Sequence, residues 1–309
     1  NAEVELTTAS SLSYMRWSCN TKDEFYKGEK EYYENQLPLL SGAQIAYMKA
    51  MLQTPFRAEV EKALPAPIYK SYEVSLKALD ERVVDELREE SALVNQYATF
   101  MSEFTVDFDG KKLPLTLLKK YMDDGDREVR KRAFDALGAT FEQNSELLDG
   151  IYDKLVKVRT RMAQKMGYKN YVELGYYKMG RLCYNREMVE KFRENVLNDV
   201  VPVVSRVRKA RAEKLGISDM KLYDYGVCFA CGDPEPVLDA NGMFNAGREM
   251  YREMSKETGE FIDMMLENEA FDVLSREGKW GGGYCTEFPK YKQPFILANF
   301  NGSSGDVDV

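Results

Sequence analysis

Apolar residues recur every three to four positions along most of this chain, the spacing of one helical face, among Ala, Leu, Glu, Lys, Arg and Met up to about Gly216. Period-two alternation is rare. The pattern predicts a helix opened by Thr21, with Glu24 as its capping-box partner, carrying Phe25, Tyr32 and Tyr33 and stopped by Pro38. A second helix is expected over 43–52. Pro55 suits the first position of a helix over 56–64, Pro65-Ala66-Pro67 breaks the chain, and 76–101 reads as one long helix. Residues 104–108 alternate and lead into Asp109-Gly110, which predicts a short hairpin returning through 112–115. Asp124 or Asp126 then caps a helix running to Phe141. Further helices are expected over 146–166, 171–177 and 186–215, the last kinked by Pro202.

After Gly216 the texture turns to glycine, proline and aspartate, and 222–242 reads as a long surface excursion. Helices resume over 246–253 behind Asn245, over 256–266 behind Ser255, and over 271–277 up to Gly278. The tail is different. Gly281, Gly282 and Gly283 permit a tight backbone path, 284–288 and 295–300 read as strands, and Pro289 and Pro294 punctuate the return. A loop over 301–305 leads to Asp306-Val307-Asp308-Val309, an acidic N-cap and first helical turn. The fold class is therefore mainly α with minor β hairpins, and Tyr168, Tyr171, Tyr176 and Tyr177 are expected in the core and along a groove. No internal repeat appears, which excludes solenoids.

Composition narrows the chemistry. With 309 residues and a net charge of −8, the chain can bury a sizeable core and offers nucleic acid no basic surface, since the one basic cluster, 206–214, alternates with Val and Ala as a solvated helix face does. Apolar runs fall short of the roughly 20 residues a membrane-spanning helix needs. Histidine is absent, so no Ser-His-Asp triad, Cys-His pair or His-based metal site can be assembled from these residues. The five cysteines, Cys19, Cys183, Cys228, Cys231 and Cys285, are odd in number and scattered, which points to reduced thiols and a cytoplasmic setting. Cys228-Phe229-Ala230-Cys231 has the spacing of a zinc or redox pair. It lacks a second ligand pair and a strand-to-helix context, and reads as structural.

The tail carries a resemblance. Gly282-Gly283-Tyr284-Cys285-Thr286, Pro294-Phe295-Ile296, Asn299-Phe300-Asn301-Gly302 and Gly305-Asp306-Val307-Asp308-Val309 resemble the oligoendopeptidase F group of zinc metallopeptidases, relatives of thimet oligopeptidase. Upstream, Asn20-Thr21-Lys22-Asp23-Glu24-Phe25-Tyr26, Asp126-Arg127-Glu128-Val129-Arg130-Lys131 and 152–160 extend the likeness over nearly the whole chain, as do 165–171 and the 250–258 stretch. Cys183 departs from it, standing before Tyr184 where an acidic residue is expected. The resemblance implies two largely helical lobes around a channel. It expects a His-Glu-x-x-His helix to follow Val309, with two histidines as zinc ligands and a glutamate as general base.

On that footing 1–102 is expected to form a helical N-terminal lobe, and 103–309 a short hairpin plus the first part of a catalytic domain. The resemblance implies zinc in the intact protein, with none of its ligands in this chain, and short peptides as substrates. Phe295 to Phe300 is expected to be an edge strand receiving extended peptide backbone, with the glycine loop beside it; Gly282, Gly283, Tyr284, Phe295, Ala298, Asn299 and Phe300 are the candidate substrate-binding residues. No membrane or nucleic-acid partner is expected. Cut before a zinc helix, such a chain would self-associate through its C-terminal region. A non-catalytic helical scaffold or peptide-binding module is the alternative, and the reading frame beyond Val309 decides between them.

Overall fold

The computed structural model describes residues 2–65 and 67–308. The chain opens with α1 (Ala2–Cys19), α2 (Glu24–Gln36), α3 (Ser41–Gln53), α4 (Arg57–Ala63), α5 (Pro67–Ala78) and α6 (Val84–Glu103). The hairpin β1 (Thr105–Phe108) and β2 (Lys111–Pro114) follows, then α7 (Leu115–Met122), α8 (Arg127–Gln143), α9 (Ser145–Lys165) and α10 (Tyr171–Lys178). Next come α11 (Arg186–Asn195), α12 (Val201–Leu215), α13 (Ala240–Met254) and α14 (Lys256–Glu267), and finally β3 (Phe271–Leu274), β4 (Tyr284–Phe288) and β5 (Gln293–Phe300). The mainly α expectation holds.

Local chemistry explains where elements begin and where the expected boundaries moved. Asp23, not Thr21, caps α2: its Oδ1 accepts from the amides of Phe25 and Tyr26 at 3.0 and 3.1 Å, while Thr21 Oγ1 donates to the Gly278 carbonyl instead. The single helix expected over 76–101 is divided, because Asp80 accepts from the Arg82 amide and starts a 3-10 turn, Glu81–Val83, ahead of α6. Pro67 opens α5, the position where a missing N–H costs nothing. The Asp109-Gly110 hairpin forms as expected, with φ of 48° and 75° at the two turn residues. Pro202 acts less as a kink than by widening the helix before it: Val196–Val200 is π-helical, and the Val201 amide reaches back to the Val196 carbonyl. Asp239, not Asn245, caps α13, six residues earlier than expected. Residues 271–274 form strand β3 where a helix was expected, because α14 has already ended at Asn268 and Glu269 turns the chain with φ 51°.

The contacts divide the chain into two compact units. One comprises the stretch up to Lys30, Ala98–Ser145 and the stretch from Arg208; the other comprises Glu31–Tyr97 and Glu146–Val207. Each unit is discontinuous in sequence. In the second unit, Ala78, Val83, Met162, Ala163 and Leu174 form the core, with Tyr168, Tyr171 and Tyr177 packed against it. Beside it Glu90 pairs with Arg159 and Lys178, both at 2.7 Å.

In the first unit, Phe104, Val106, Phe108, Leu113, Leu118 and Ala133 form one apolar cluster, and Met15, Phe288, Phe295 and Leu297 another. A buried charge hub ties the start of α8 to the 221–224 turn. Asp224, 0% exposed, accepts from Arg127 Nη2 at 2.9 Å, Arg130 Nη2 at 3.0 Å and the Lys221 amide at 2.9 Å. Arg130 spends its remaining donors on the carbonyls of Asp124, Gly125 and Tyr223. Burial alone would push the Asp224 carboxyl up, but the hydrogen bonds from Arg127, the Lys221 amide and Arg130 outweigh it and hold it down at about 2.

Removing this carboxylate strands two guanidinium groups, so Asp224→Ala is expected to cost about 3–5 kcal/mol in urea unfolding. Because the folded pKa lies below the unfolded one, Asp224 contributes its stability above about pH 4, and that contribution fades as pH falls toward 2. The check is the pH dependence of the unfolding midpoint, which should flatten across that window in Asp224→Asn. An unchanged slope would show that the hub is not what acid attacks.

Candidate functional site

The three-stranded sheet runs in the order β3-β5-β4, with β3 parallel and β4 antiparallel to β5. The strand expected at the edge, Phe295 to Phe300, is therefore the central one. Its apolar run is covered on both sides: Phe295 and Ala298 are each 6% exposed, and Phe300 stacks on Phe244 with ring centroids 6.3 Å apart. Pairing polarity follows from one bond. The Ile296 amide donates to Ala270, so Ile296 faces β3 and its neighbours Phe295 and Leu297 face β4, opposite Thr286 and Tyr284. Pro294 is tolerated because its absent N–H would point toward the β3 side, ahead of the first paired residue there.

The same alternation turns the N–H and C=O of Cys285 and Glu287 away from β5, toward the outer side of β4. Cys285 and Glu287 are exposed, while Tyr284 and Thr286 are half-buried and Phe288 is buried. Tyr284 packs on Tyr14 and Trp280, and its hydroxyl sits 2.5 Å from Ser18 Oγ of α1. Burial raises its pKa.

The glycines before β4 are held from within. Asn299 Nδ2 donates to the carbonyls of Gly282 at 2.7 Å and Trp280 at 3.0 Å, and the Trp280 amide donates to Ser18. The Trp280 ring folds back over Gly282, where a Cβ would fall 2.0 Å from its Cη2. At Gly283 a Cβ would lie 3.3 Å from the Leu297 carbonyl. Asn299 and Ala298 thus serve the interior of the sheet, and Gly282 and Gly283 lead into β4 at Tyr284.

Lys279 anchors this region. It is 3% exposed, and its Nζ lies within hydrogen-bond reach of the carbonyls of Asp272, Leu274 and Ala298 and of Asp272 Oδ1 at 2.9 Å. Burial would raise the Asp272 carboxyl, but Arg276 and Lys279 bring it down to about 2, while burial, followed by that carboxylate, drives the Cys19 thiol up to about 12. Downstream, Asp306 accepts from the amides of Asn301 and Gly302, and Asn301 Nδ2 donates to Thr116. The Asp306 carboxylate closes the turn behind it, Ser304–Asp308 is a 3-10 turn, and Val309, the end of the expected first helical turn, lies outside the described residues.

Two concavities accompany these elements. One of about 620 Å³ borders β3 and β5 and is lined by Cys19, Phe244, Asp272 and Phe295. Another of about 780 Å³ lies within the second unit, where Tyr176 and Tyr177 line it as the sequence suggested. Among the described residues no group of three or more His, Cys, Asp or Glu side chains could hold a metal ion. Cys228 and Cys231 are free thiols on a turn closed by Asp233, which accepts from the Cys228 and Phe229 amides.

Comparison with known proteins gives this geometry a setting. Residues 1–79 match the peptidase M3 N-terminal domain and residues 120–229 match peptidase family M3. Oligopeptidase PepF of Bacillus subtilis (strain 168) is 24% identical over 259 residues, covering 81% of this chain and 36% of the relative. The solved structure of PZ peptidase A with inhibitor 2 superposes with a TM-score of 0.96 at 39% identity, over 99% of this chain and 55% of that one. An oligoendopeptidase F structure from Bacillus anthracis str. Ames gives 0.95 at 40% identity, over 99% and 56%. The chain spans about half the length of these solved relatives.

The Trp280–Gly282 contact yields a direct test. Gly282→Ala places a methyl inside the indole ring and must expel it, at a cost of about 1–3 kcal/mol as for other overpacked sites. The expected result is a lower melting temperature with altered tryptophan emission, whereas Gly281→Ala, with only Thr116 Cγ2 at 3.9 Å, should be close to neutral in packing. Equal effects at the two positions would refute the contact.

Proposed function

The chain belongs to the M3 peptidase family, as an oligoendopeptidase F-type member, and on that premise we propose that it forms the N-terminal and pre-catalytic part of a zinc-dependent enzyme that hydrolyses short peptides. The observation that carries this reading is the free edge of β4. Its outward N–H and C=O groups at Cys285 and Glu287 offer an extended peptide the ladder that β5 offers on the other side. The substrate strand thus docks on β4, one strand away from where the sequence suggested. When bound in the whole protein, zinc would polarise the scissile carbonyl and activate water. No residue of this chain is assigned to that step. Five free thiols suit a reducing cytoplasmic setting, and among the described residues no helix is long and apolar enough to cross a membrane.

The full-length protein is expected to cleave a quenched peptide in a chelator-sensitive manner, while the 309-residue chain alone holds less than stoichiometric zinc and cleaves nothing. In the full-length protein Cys285→Pro removes one outward donor, which an edge strand tolerates, and should lower kcat/KM about three- to tenfold with the melting temperature nearly kept. Ala298→Pro falls in the central strand and should prevent folding. Hydrolysis by the isolated chain, or undiminished kcat/KM in folded Cys285→Pro, would reject the assignment.

The same edge is a template for a second copy of the chain. We expect the isolated 309-residue chain to run as a dimer or larger species in light scattering, and Cys285→Pro to shift it toward monomer. A monodisperse parent chain would count against pairing through β4.

A further inference from the structure

Three stretches of the second unit meet around its concavity of about 780 Å³. α5 contributes Lys70, Val74 and Lys77, whose spacing puts them on one helical face. The start of α10 contributes Lys169 and Glu173, and the loop from Arg181 into α11 completes the wall. Charge is unbalanced there. Lys70, Lys77, Lys169, Arg181 and Arg186 face two carboxylates, Glu173 and Glu187, in a chain whose net charge is −8. Glu173 already accepts from the Tyr177 hydroxyl at 3.1 Å, and Arg186 is paired with Glu190 at 2.8 Å. Among the described residues Lys70, Lys77, Lys169 and Arg181 pair with no carboxylate.

Arg181 is held in place by the way α10 ends. Gly180 adopts φ 63° and its amide reaches the Tyr177 carbonyl at 2.9 Å, while the Arg181 amide reaches the Tyr176 carbonyl at 3.3 Å, the two bonds of a Schellman turn. The turn folds the arginine back, and its guanidinium lies 4.0 Å from the Tyr176 ring centroid and 5.3 Å from that of Tyr184. Lys77 likewise rests over the Tyr177 ring at 4.9 Å. A cation on an aromatic face is positioned without being neutralised, so its charge is left for a ligand. A planar guanidinium fixed in this way offers a carboxylate two parallel N–H donors.

Size and lining select the kind of anion. A lone phosphate would fill little of this volume, which lies in the range that takes larger organic ligands, and Val74, Val172, Leu182 and Met188 stand among the cations with nothing to offer an inorganic ion. We infer that the concavity binds short acidic peptides, with one carboxylate on the Arg181 fork, further acidic side chains served by the lysines, and apolar atoms of the peptide against these side chains. The anionic class follows from this wall alone; the choice of a peptide rests on the peptidase reading above.

The test is fluorescence anisotropy on the full-length protein, with chelator present so that no probe is consumed. A labelled peptide rich in Asp and Glu should bind about tenfold more tightly than its Asn and Gln counterpart, and rising salt should shrink the difference. Arg181→Lys keeps the charge but loses the fork, and should cut the preference about three- to tenfold. Lys169→Gln alters an exposed side chain that makes no hydrogen bond among the described residues, so it keeps the fold and should cut the preference about two- to threefold. Lys154→Gln removes an equally exposed lysine of α9 outside the concavity and should change nothing. Equal binding of the acidic and amide peptides, an equal loss in Lys154→Gln, or calorimetric binding of inorganic phosphate without binding of the acidic peptide would overturn the inference. Acidic peptides that bind as expected but are not cleaved once chelator is omitted would sink the peptidase reading and leave this site standing.

Discussion

A single buried ammonium group sets the shape of the sheet. Lys279 lies among three backbone carbonyls, two on or beside β3 and one on β5, with the Asp272 carboxylate as its counter-ion. An isolated charge in that position would be prohibitive, and a neutral side chain would leave the carbonyls without donors, so the charge and its partners form one unit. Its effect is geometric. It takes the Ala298 carbonyl where β3 and β5 shift register, and their pairing resumes at Leu274 and Phe300. On the other side Asn299 holds the Trp280 and Gly282 carbonyls, and the Trp280 ring occupies the space that glycine at 282 leaves free.

How much of this was legible in the sequence depends on the range of the interaction. The Asp109-Gly110 hairpin and the Ser255 cap are local, and both were readable from a few adjacent residues. β3 was misread because a four-residue run of Phe, Asp, Val and Leu fits a short helix or a short strand, and only pairing with β5 decides. The place of β5 had a signal that went unused: Phe295, Ile296, Leu297 and Ala298 are uninterrupted apolar positions, the mark of a strand covered on both sides. The Arg127–Asp224 and Asn299–Gly282 contacts leave no trace in spacing. They join residues that only the fold brings together.

The candidate site divides along the same line. The glycine run and Tyr284 announced themselves by composition and sit where the sheet edge is open. Phe295, Ala298 and Phe300 belong instead to the interior, and Asn299 touches the loop rather than open space. Exposed flat edges are usually blunted by charge, proline or a covering helix, because they invite pairing with other chains. Here α1 packs against one face of β4 through Tyr284 and leaves the outer backbone groups uncovered. The proposed docking role would account for tolerating that hazard.

Backbone pairing along such an edge binds substrate and transition state about equally, which lowers KM without raising kcat. It also discriminates poorly among sequences, since every peptide offers the same N–H and C=O groups. On the proposed docking role, the value of the edge lies in register. A strand that can dock in only one alternation presents every second carbonyl to the same side, and a fixed set of carbonyls is what a metal and its water require before orientation can contribute to rate. Under that proposal, rigidity in Lys279, Asn299 and the Trp280–Gly282 contact matters more than affinity at any one hydrogen bond, because an edge free to slide by one residue would turn the wrong face of a docked strand inward.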